Sequence, residues 1–394
     1  LVECIITDTG FTRADALGEI RRAEQTLLLS GEAAKQLSGE MVPLEAAPGV
    51  TGRLGFTLRF PIGVVAAITP FNSPLNTVAH KLGPALAAGN GVVLKPANAT
   101  PLTANALGQI LLDAGVPAGL LAIVHGGGAT AGEALLSDER IGFYTFTGST
   151  EVGLTVQRAA GLRPTQLELG SIATTIVCDD ADVAEVAAKV VPAAFRKAGQ
   201  VCTSVQRLYV HRDLAGGFGD ALAEDLEGRV VGDPRQPGAL VGPLISRGEA
   251  ERVSGWIAAA EKGGATLVTG GGCAGSVVRP TVLVGVAPHM DVVRREVFGP
   301  VVSILPFTDL ADAVRDANAT EYGLAAGVFT RDLDRALWAA RNLRFGGVHI
   351  NETSSSRVDL MPYGGVKQSG HGREGPLYAA REMTEERLIT ISHH

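Results

Sequence analysis

An α/β fold with parallel sheets covered on both faces is what this sequence predicts, and three observations carry the prediction. Short apolar, β-branched runs recur along the chain, helix-length Ala/Leu-rich segments separate them, and polar Gly-rich motifs stand where the apolar runs stop. Parallel strands buried on both sides read as continuous apolar runs, and the crossover between two of them needs a helix. The ligand site of such a sheet lies at the carboxyl ends of its strands. With 394 residues and 46% hydrophobic content, the chain can bury sizeable cores in two or three domains.

Taken in order, the first unit reads VVAAI (64–68), a helix over 78–88, VVL (92–94), a helix over 102–114, LLAIV (120–124), a helix over 131–136 and the strand IGFYTF (141–146). The rhythm resumes after Ser171 with TTIV (174–177), an Ala/Val helix over 183–198, and the strands VVSIL (301–305), AAGVF (325–329) and GGVHI (346–350). Between about Glu40 and Phe60 the pattern changes to extended segments with Gly and Thr, and RLITIS (387–392) is another alternating strand. The closing His393 and His394 read as the start of a purification tag and are set aside from the fold.

Composition excludes several classes. Lys plus Arg number 34 against 41 Asp plus Glu, a formal charge of −7, which argues against a nucleic-acid surface. The four cysteines, Cys4, Cys178, Cys202 and Cys273, are scattered without a C-x-x-C pair, so no metal cluster is expected and reduced thiols in the cytoplasm are. Apolar runs such as GVVAAI (63–68) are far too short to span a bilayer, and no basic stretch followed by an apolar one opens the chain.

The most informative residue is Cys202, in GQVCTSVQR (199–207). A Gly, a Cys and small hydroxyl side chains in one tight segment suit an accessible thiolate, the most nucleophilic common side chain once its pKa is lowered. A single free cysteine is by itself more often a small buried hydrophobe. The flanking motifs change that reading: ITPFNSP (68–74), VVLKPANATP (92–101), FTGSTEVG (146–153), LELGS (167–171), EVFGP (296–300) and PYGGVKQSGHGREG (362–375) follow one another in this order. Together they resemble the aldehyde dehydrogenase superfamily, from the first residues to the last.

The resemblance implies a Rossmann-type cofactor domain over 1–42 and 62–170, an α/β catalytic domain over 171–375, and oligomerisation strands at 43–61 and 384–392. A homodimer or homotetramer is expected on the same ground. Relatives carry a further N-terminal portion of the cofactor domain before a motif like DTG (8–10), so that portion is expected to be missing here.

For the cofactor, NAD or NADP, a chemical argument precedes the resemblance. Lys95 follows an apolar strand and is aimed from its end into a crevice, where an ammonium suits ribose hydroxyls or a phosphate. On local sequence alone it is a surface lysine. Gly148, Ser149 and Thr150 stand between a strand and a helix, where backbone amides hold pyrophosphate, although such a turn is commonly structural. The resemblance adds Ile68, Pro70, Phe71, Ala97, Asn98, Phe146, Val152, Leu169 and Gly170, with Gly128 and Gly132 near the adenosine end. It also places Glu296 on the nicotinamide ribose and Phe298 near the ring. Asn98 stands where NAD-preferring relatives often carry a glutamate for the ribose 2′-hydroxyl; a neutral Asn leaves NAD and NADP both open.

On the catalytic side, Cys202 is expected to attack an aldehyde carbonyl, giving a thiohemiacetal that yields hydride to the nicotinamide. Asn72 and the Cys202 backbone N–H would stabilise the oxyanion, and Glu168 would activate the water that hydrolyses the thioester. Locally, Asn72 reads equally as a turn residue and Glu168 as a surface carboxylate. Ser171 and Ile172 depart from the common pattern after Glu168. Val201 replaces an arginine found before the nucleophile in relatives acting on phosphate-bearing aldehydes, leaving His80, Arg207 and Arg357 as other sources of positive charge, with surface roles their default.

The expected reaction is oxidation of a small aldehyde to its acid, in a member of the lactaldehyde and non-phosphorylating glyceraldehyde-phosphate branch. The alternatives are a CoA-acylating semialdehyde dehydrogenase, against which Glu168 counts, and a dinucleotide-binding protein without catalysis.

Overall fold

The computed structural model describes residues 1–392; the His393–His394 pair lies outside the described residues. A six-stranded sheet holds, in spatial order, Gly370–His371, Thr165–Glu168, Ile141–Thr147, Val64–Ile68, Gly91–Lys95 and Leu121–Ile123. All neighbours run parallel except the edge strand Gly370–His371, which pairs antiparallel with Glu168 and Leu167. A seven-stranded sheet runs Thr266–Thr269, Thr281–Val284, Val301–Phe307, Arg207–His211, Thr174–Val177, Ala325–Phe329, Gly347–Ile350, again parallel but for its first strand.

The apolar runs read from sequence are these central strands. Val65, Ala66 and Ala67 are fully buried, as are Ile176 and Val177, because helices cover both faces. The third sheet is antiparallel, with Arg53–Pro61 between Met41–Val42 and Thr384–Ser392, the latter on its edge.

Local signals set most helix ends. Thr12 and Asp15 form a reciprocal capping box at the start of Arg13–Ala34, Pro101 occupies the first turn of Pro101–Asp113, and the Ser149 hydroxyl caps Thr150–Ala160.

The structure differs from the sequence reading in two helices. The segment over 131–136 is a wide turn, Gly128–Gly132, followed by the helix Glu133–Ser137. The helix expected over 183–198 stops at Phe195, because Lys197, Ala198 and Gly199 take left-handed φ of 53°, 54° and 71°. Left-handed backbone at two non-glycine residues is costly and persists only where surroundings compel it. Here they do: the Lys197 ammonium donates to a buried Glu19 carboxylate at 2.6 Å and to the Asn72 carbonyl at 3.0 Å. A Cβ at Gly199 would collide with the Gly299 carbonyl, so this turn needs glycine.

Candidate active site

The left-handed turn delivers Cys202 to a cleft of about 670 Å³ that runs past the carboxyl ends of Val64–Ile68, Gly91–Lys95 and Ile141–Thr147. Cys202, Asn72 and Glu168 all line it. The Asn72 side-chain amide donates to the Gln200 carbonyl at 2.8 Å, while its backbone carbonyl is held by Lys197. One amide N–H of Asn72 therefore stays available to the cleft. The Cys202 backbone N–H has no acceptor among the described residues either, so two unengaged donors belong to residues that line the same cleft.

Burial pushes the Cys202 thiol up to about 11, opposed by a hydrogen bond between its sulfur and the Tyr363 hydroxyl at 3.0 Å. Glu168 ends the strand Thr165–Glu168 and is 3% exposed, and neither carboxyl oxygen has a hydrogen-bond partner. Burial, with the Glu374 carboxylate adding to it, holds its pKa well above the ordinary range. The loop after it is fixed by the KQSG motif: Leu169 N–H donates to the Ser369 carbonyl at 3.1 Å and the Ser369 hydroxyl to the Gly170 carbonyl at 2.7 Å. Ser171, the departure noted above, donates its N–H to Glu296 at 3.1 Å. Burial raises the Glu296 carboxyl to about 7 and that N–H opposes the rise.

Beneath Glu168 lies a buried ionic group. Glu374 accepts from Lys81 at 3.3 Å and from Arg357 at 2.8 Å, and the Arg357 guanidinium stands 3.7 Å from the centre of the Tyr363 ring.

On the cofactor side, Ile68, Pro70, Phe71, Lys95, Ala97, Gly128, Gly132, Phe146, Gly148, Ser149, Val152, Leu169, Gly170, Glu296 and Phe298 line the cleft. Asn98 does not: the chain turns after Ala97, the Thr100 N–H donating to the Ala97 carbonyl at 3.0 Å, and Asn98 is left exposed outside the cleft. A dinucleotide fits these residues. The Lys95 ammonium is buried, donates only to the Pro96 carbonyl at 3.2 Å, and has no anionic partner. Gly148 and Ser149 open a helix toward the same space, and Phe71 meets Phe298 edge to face at 5.9 Å. Among the described residues, no group of three metal-ligating side chains could hold a metal ion.

Of the three cationic residues considered from sequence, none takes its default surface role. His80 is buried against Asp359 at 3.0 Å, and Arg207 is buried on Thr174 and the Ala317 carbonyl, both away from the cleft; Arg357 lines it. Sequence reasoning missed Tyr363 and Glu374, although both sit inside the PYGGVKQSGHGREG motif. It also missed Arg196, six positions before the nucleophile, where a polar break ends an apolar helix. Lys81 lies in an Ala/Leu-rich helix and carries no local signal.

The profile of the aldehyde dehydrogenase family matches residues 1–389, and the chain belongs to that family. It is an NAD(P)-dependent enzyme that oxidises aldehydes. The chain is 48% identical to the 3-sulfolactaldehyde dehydrogenase of Priestia megaterium over 99% of its own length and 82% of that protein. It is 38% identical to the lactaldehyde dehydrogenase of Methanococcus maripaludis, over 95% and 80%. The solved NADP-dependent glyceraldehyde-3-phosphate dehydrogenase of Bacillus halodurans, complexed with NADP, superposes with a TM-score of 0.96 at 36% identity, covering 99% of this chain and 82% of that one.

Proposed function

We propose that the enzyme oxidises a short aldehyde bearing an anionic group, with Cys202 as nucleophile, Asn72 and the Cys202 N–H as oxyanion donors, and Glu168 as the base for thioester hydrolysis. A bound dinucleotide would be the hydride acceptor; Lys95, Gly148, Ser149 and Glu296 would hold and orient it, and Phe71 and Phe298 wall the cleft. Cys202 sulfur bonds to the carbonyl carbon as the oxygen takes up negative charge beside the two N–H groups. After oxidation, Glu168 takes a proton from water as the water oxygen attacks the thioester carbon, and the sulfur leaves as thiolate.

The observation that carries the anionic substrate is Arg196. It lines the cleft near Cys202, its guanidinium donates to the Ser355 hydroxyl at 2.8 Å, and it makes no ion pair among the described residues. Arg22 and Arg357, by contrast, are neutralised by Asp359 and Glu374. A partly buried guanidinium without a carboxylate suits a sulfonate, carboxylate or phosphate group. Relatives named for sulfolactaldehyde and glyceraldehyde 3-phosphate agree with it, and the relative named for lactaldehyde represents the neutral alternative. Arg196→Gln tests this: KM for a sulfonate- or carboxylate-bearing aldehyde should rise about 30-fold, some 2 kcal/mol, with little change for a neutral aldehyde of equal length. Equal losses on both would exclude the anion role.

The same proposal covers the cofactor and catalytic domains with the boundaries expected from sequence, a cytoplasmic location in keeping with four unpaired thiols, and a homo-oligomer built on the edge strand Thr384–Ser392. The return of Gly370–His371 to the cofactor sheet ties the end of the catalytic segment to the other domain.

A further inference from the structure

The Tyr363 hydroxyl lies 3.0 Å from the Cys202 sulfur, and both side chains line the cleft. A thiolate can only accept a hydrogen bond, and a phenol has a single proton to give. Burial first, and then the neighbouring Cys202, hold the Tyr363 phenol well above its ordinary pKa, so it remains a donor while the thiol ionises. Above the ring face stands the Arg357 guanidinium, 3.7 Å from the centroid and fixed by Glu374 at 2.8 Å. A cation over the π face withdraws electron density and strengthens the phenol as a donor.

We propose that Tyr363 is a further catalytic residue of this enzyme, whose hydroxyl holds the Cys202 sulfur in place and stabilises its thiolate, with Arg357 positioned over the ring to reinforce that donor. The role rests on Cys202 being the nucleophile. No proton is transferred by Tyr363: the thiol proton leaves to water or buffer, the phenol keeps its own, and the hydrogen bond weakens as the sulfur lone pair becomes the new carbon–sulfur bond. The other charged groups acting on the sulfur oppose one another. Glu168 and Glu296 disfavour the thiolate, whereas Arg357 and Arg196 favour it. Tyr363 is the one side chain among the described residues within hydrogen-bond distance of it.

The test uses the intact enzyme without cofactor, alkylated by iodoacetamide over a range of pH, with the modified Cys202 peptide quantified by mass spectrometry. Cys202→Ala serves as the control for the other three thiols. Tyr363→Phe should slow alkylation of Cys202 about tenfold near neutral pH and displace its pH profile upward by about one unit, because one pKa unit is a tenfold change in thiolate. NADP affinity and thermal midpoint should match the parent's, which a merely structural loss would not allow. Arg357→Gln should move the profile in the same direction by a smaller amount, and supplies a second reading should Tyr363→Phe fold poorly. A Tyr363→Phe profile that coincides with the parent's would overturn the proposal while leaving Cys202 as nucleophile. A parent enzyme in which Cys202 resists alkylation while still oxidising aldehyde would overturn the nucleophile assignment, and this role with it.

Discussion

At the catalytic end of the cleft, the buried Glu168, Glu374 and Lys81 and the partly buried Arg357 are packed together, whereas at the cofactor end the wall from Ile68 to Ala97 and from Phe146 to Val152 presents backbone, apolar side chains such as Phe71 and Phe146, and the Lys95 ammonium, with the partly buried Glu296 carboxyl on that side. Charges brought together in a low-dielectric interior act strongly on each other's protonation; here they help to hold the Glu168 carboxyl above its ordinary range, whereas Cys202, pushed up to about 11 by burial, is not the low-pKa thiol that its segment suggested. A dinucleotide needs something else: close approach of backbone amides and a cation for its phosphates or ribose. On the proposed function, the catalytic end would rely on neighbouring charges, and the cofactor end on backbone, apolar walls and the Lys95 ammonium.

The largest test of that contrast is Glu168→Gln. Turnover should fall about a thousandfold, within the usual range for a lost general base, while the first equivalent of reduced cofactor still forms in a burst. The parent's hydrolysis rate should rise with pH through the elevated pKa of Glu168, since only the carboxylate can accept a proton, and that limb should vanish in the variant. Unchanged steady-state turnover would remove the base from the catalytic end.

Next in size comes the ionic group itself. Glu374→Gln leaves Lys81 and Arg357 buried without their shared anion, and should cost about 3–5 kcal/mol in denaturant unfolding near neutral pH. Glu374 is held at about 2: burial opposes the drop, but Lys81 and Arg357 outweigh it. For Glu19 burial likewise opposes the drop to about 2 and Lys197 outweighs it. A carboxylate with a depressed folded pKa contributes stability that is complete above its ordinary value of 4.5 and is lost as pH falls towards 2. The difference between parent and variant should therefore narrow over that interval. A gap independent of pH would mean that packing, and not charge, accounts for the loss.

The smallest effect is expected at the cofactor end. Lys95→Met should weaken NADP binding about tenfold, or 1.4 kcal/mol by calorimetry, and leave the burst of chemistry intact at saturating cofactor. A collapse of turnover at saturation would show that the two ends are less separate than their construction implies.

How far the sequence carried the reading differs between these regions. The strands around Val65, Ala66 and Ile176 were legible because burial on both faces enforces a continuous apolar run. That Asn72 and Glu168 line the cleft was legible because each stands in a motif at or just after the end of such a run, and Cys202 because Gly and small hydroxyl residues surround it. The end of the helix at Phe195 was not, since the left-handed turn at Lys197 and Ala198 is compelled by Glu19, which lies far away in the chain. Asn98 enters the cofactor-binding set through the family resemblance alone, and the turn at Ala97 leaves it exposed outside the cleft.

By itself the sequence determined the fold class and brought forward Cys202, Asn72 and Glu168 as candidates, because periodicity and strand-end motifs are local properties of the chain. Only the tertiary structure decided the electrostatics of the site. Lys81, Arg196, Arg357, Tyr363 and Glu374 come from separate segments, and the pKa of Cys202 or Glu168 depends on which charges and donors share its dry surroundings. That is a property of three-dimensional neighbours, which no spacing along the chain records.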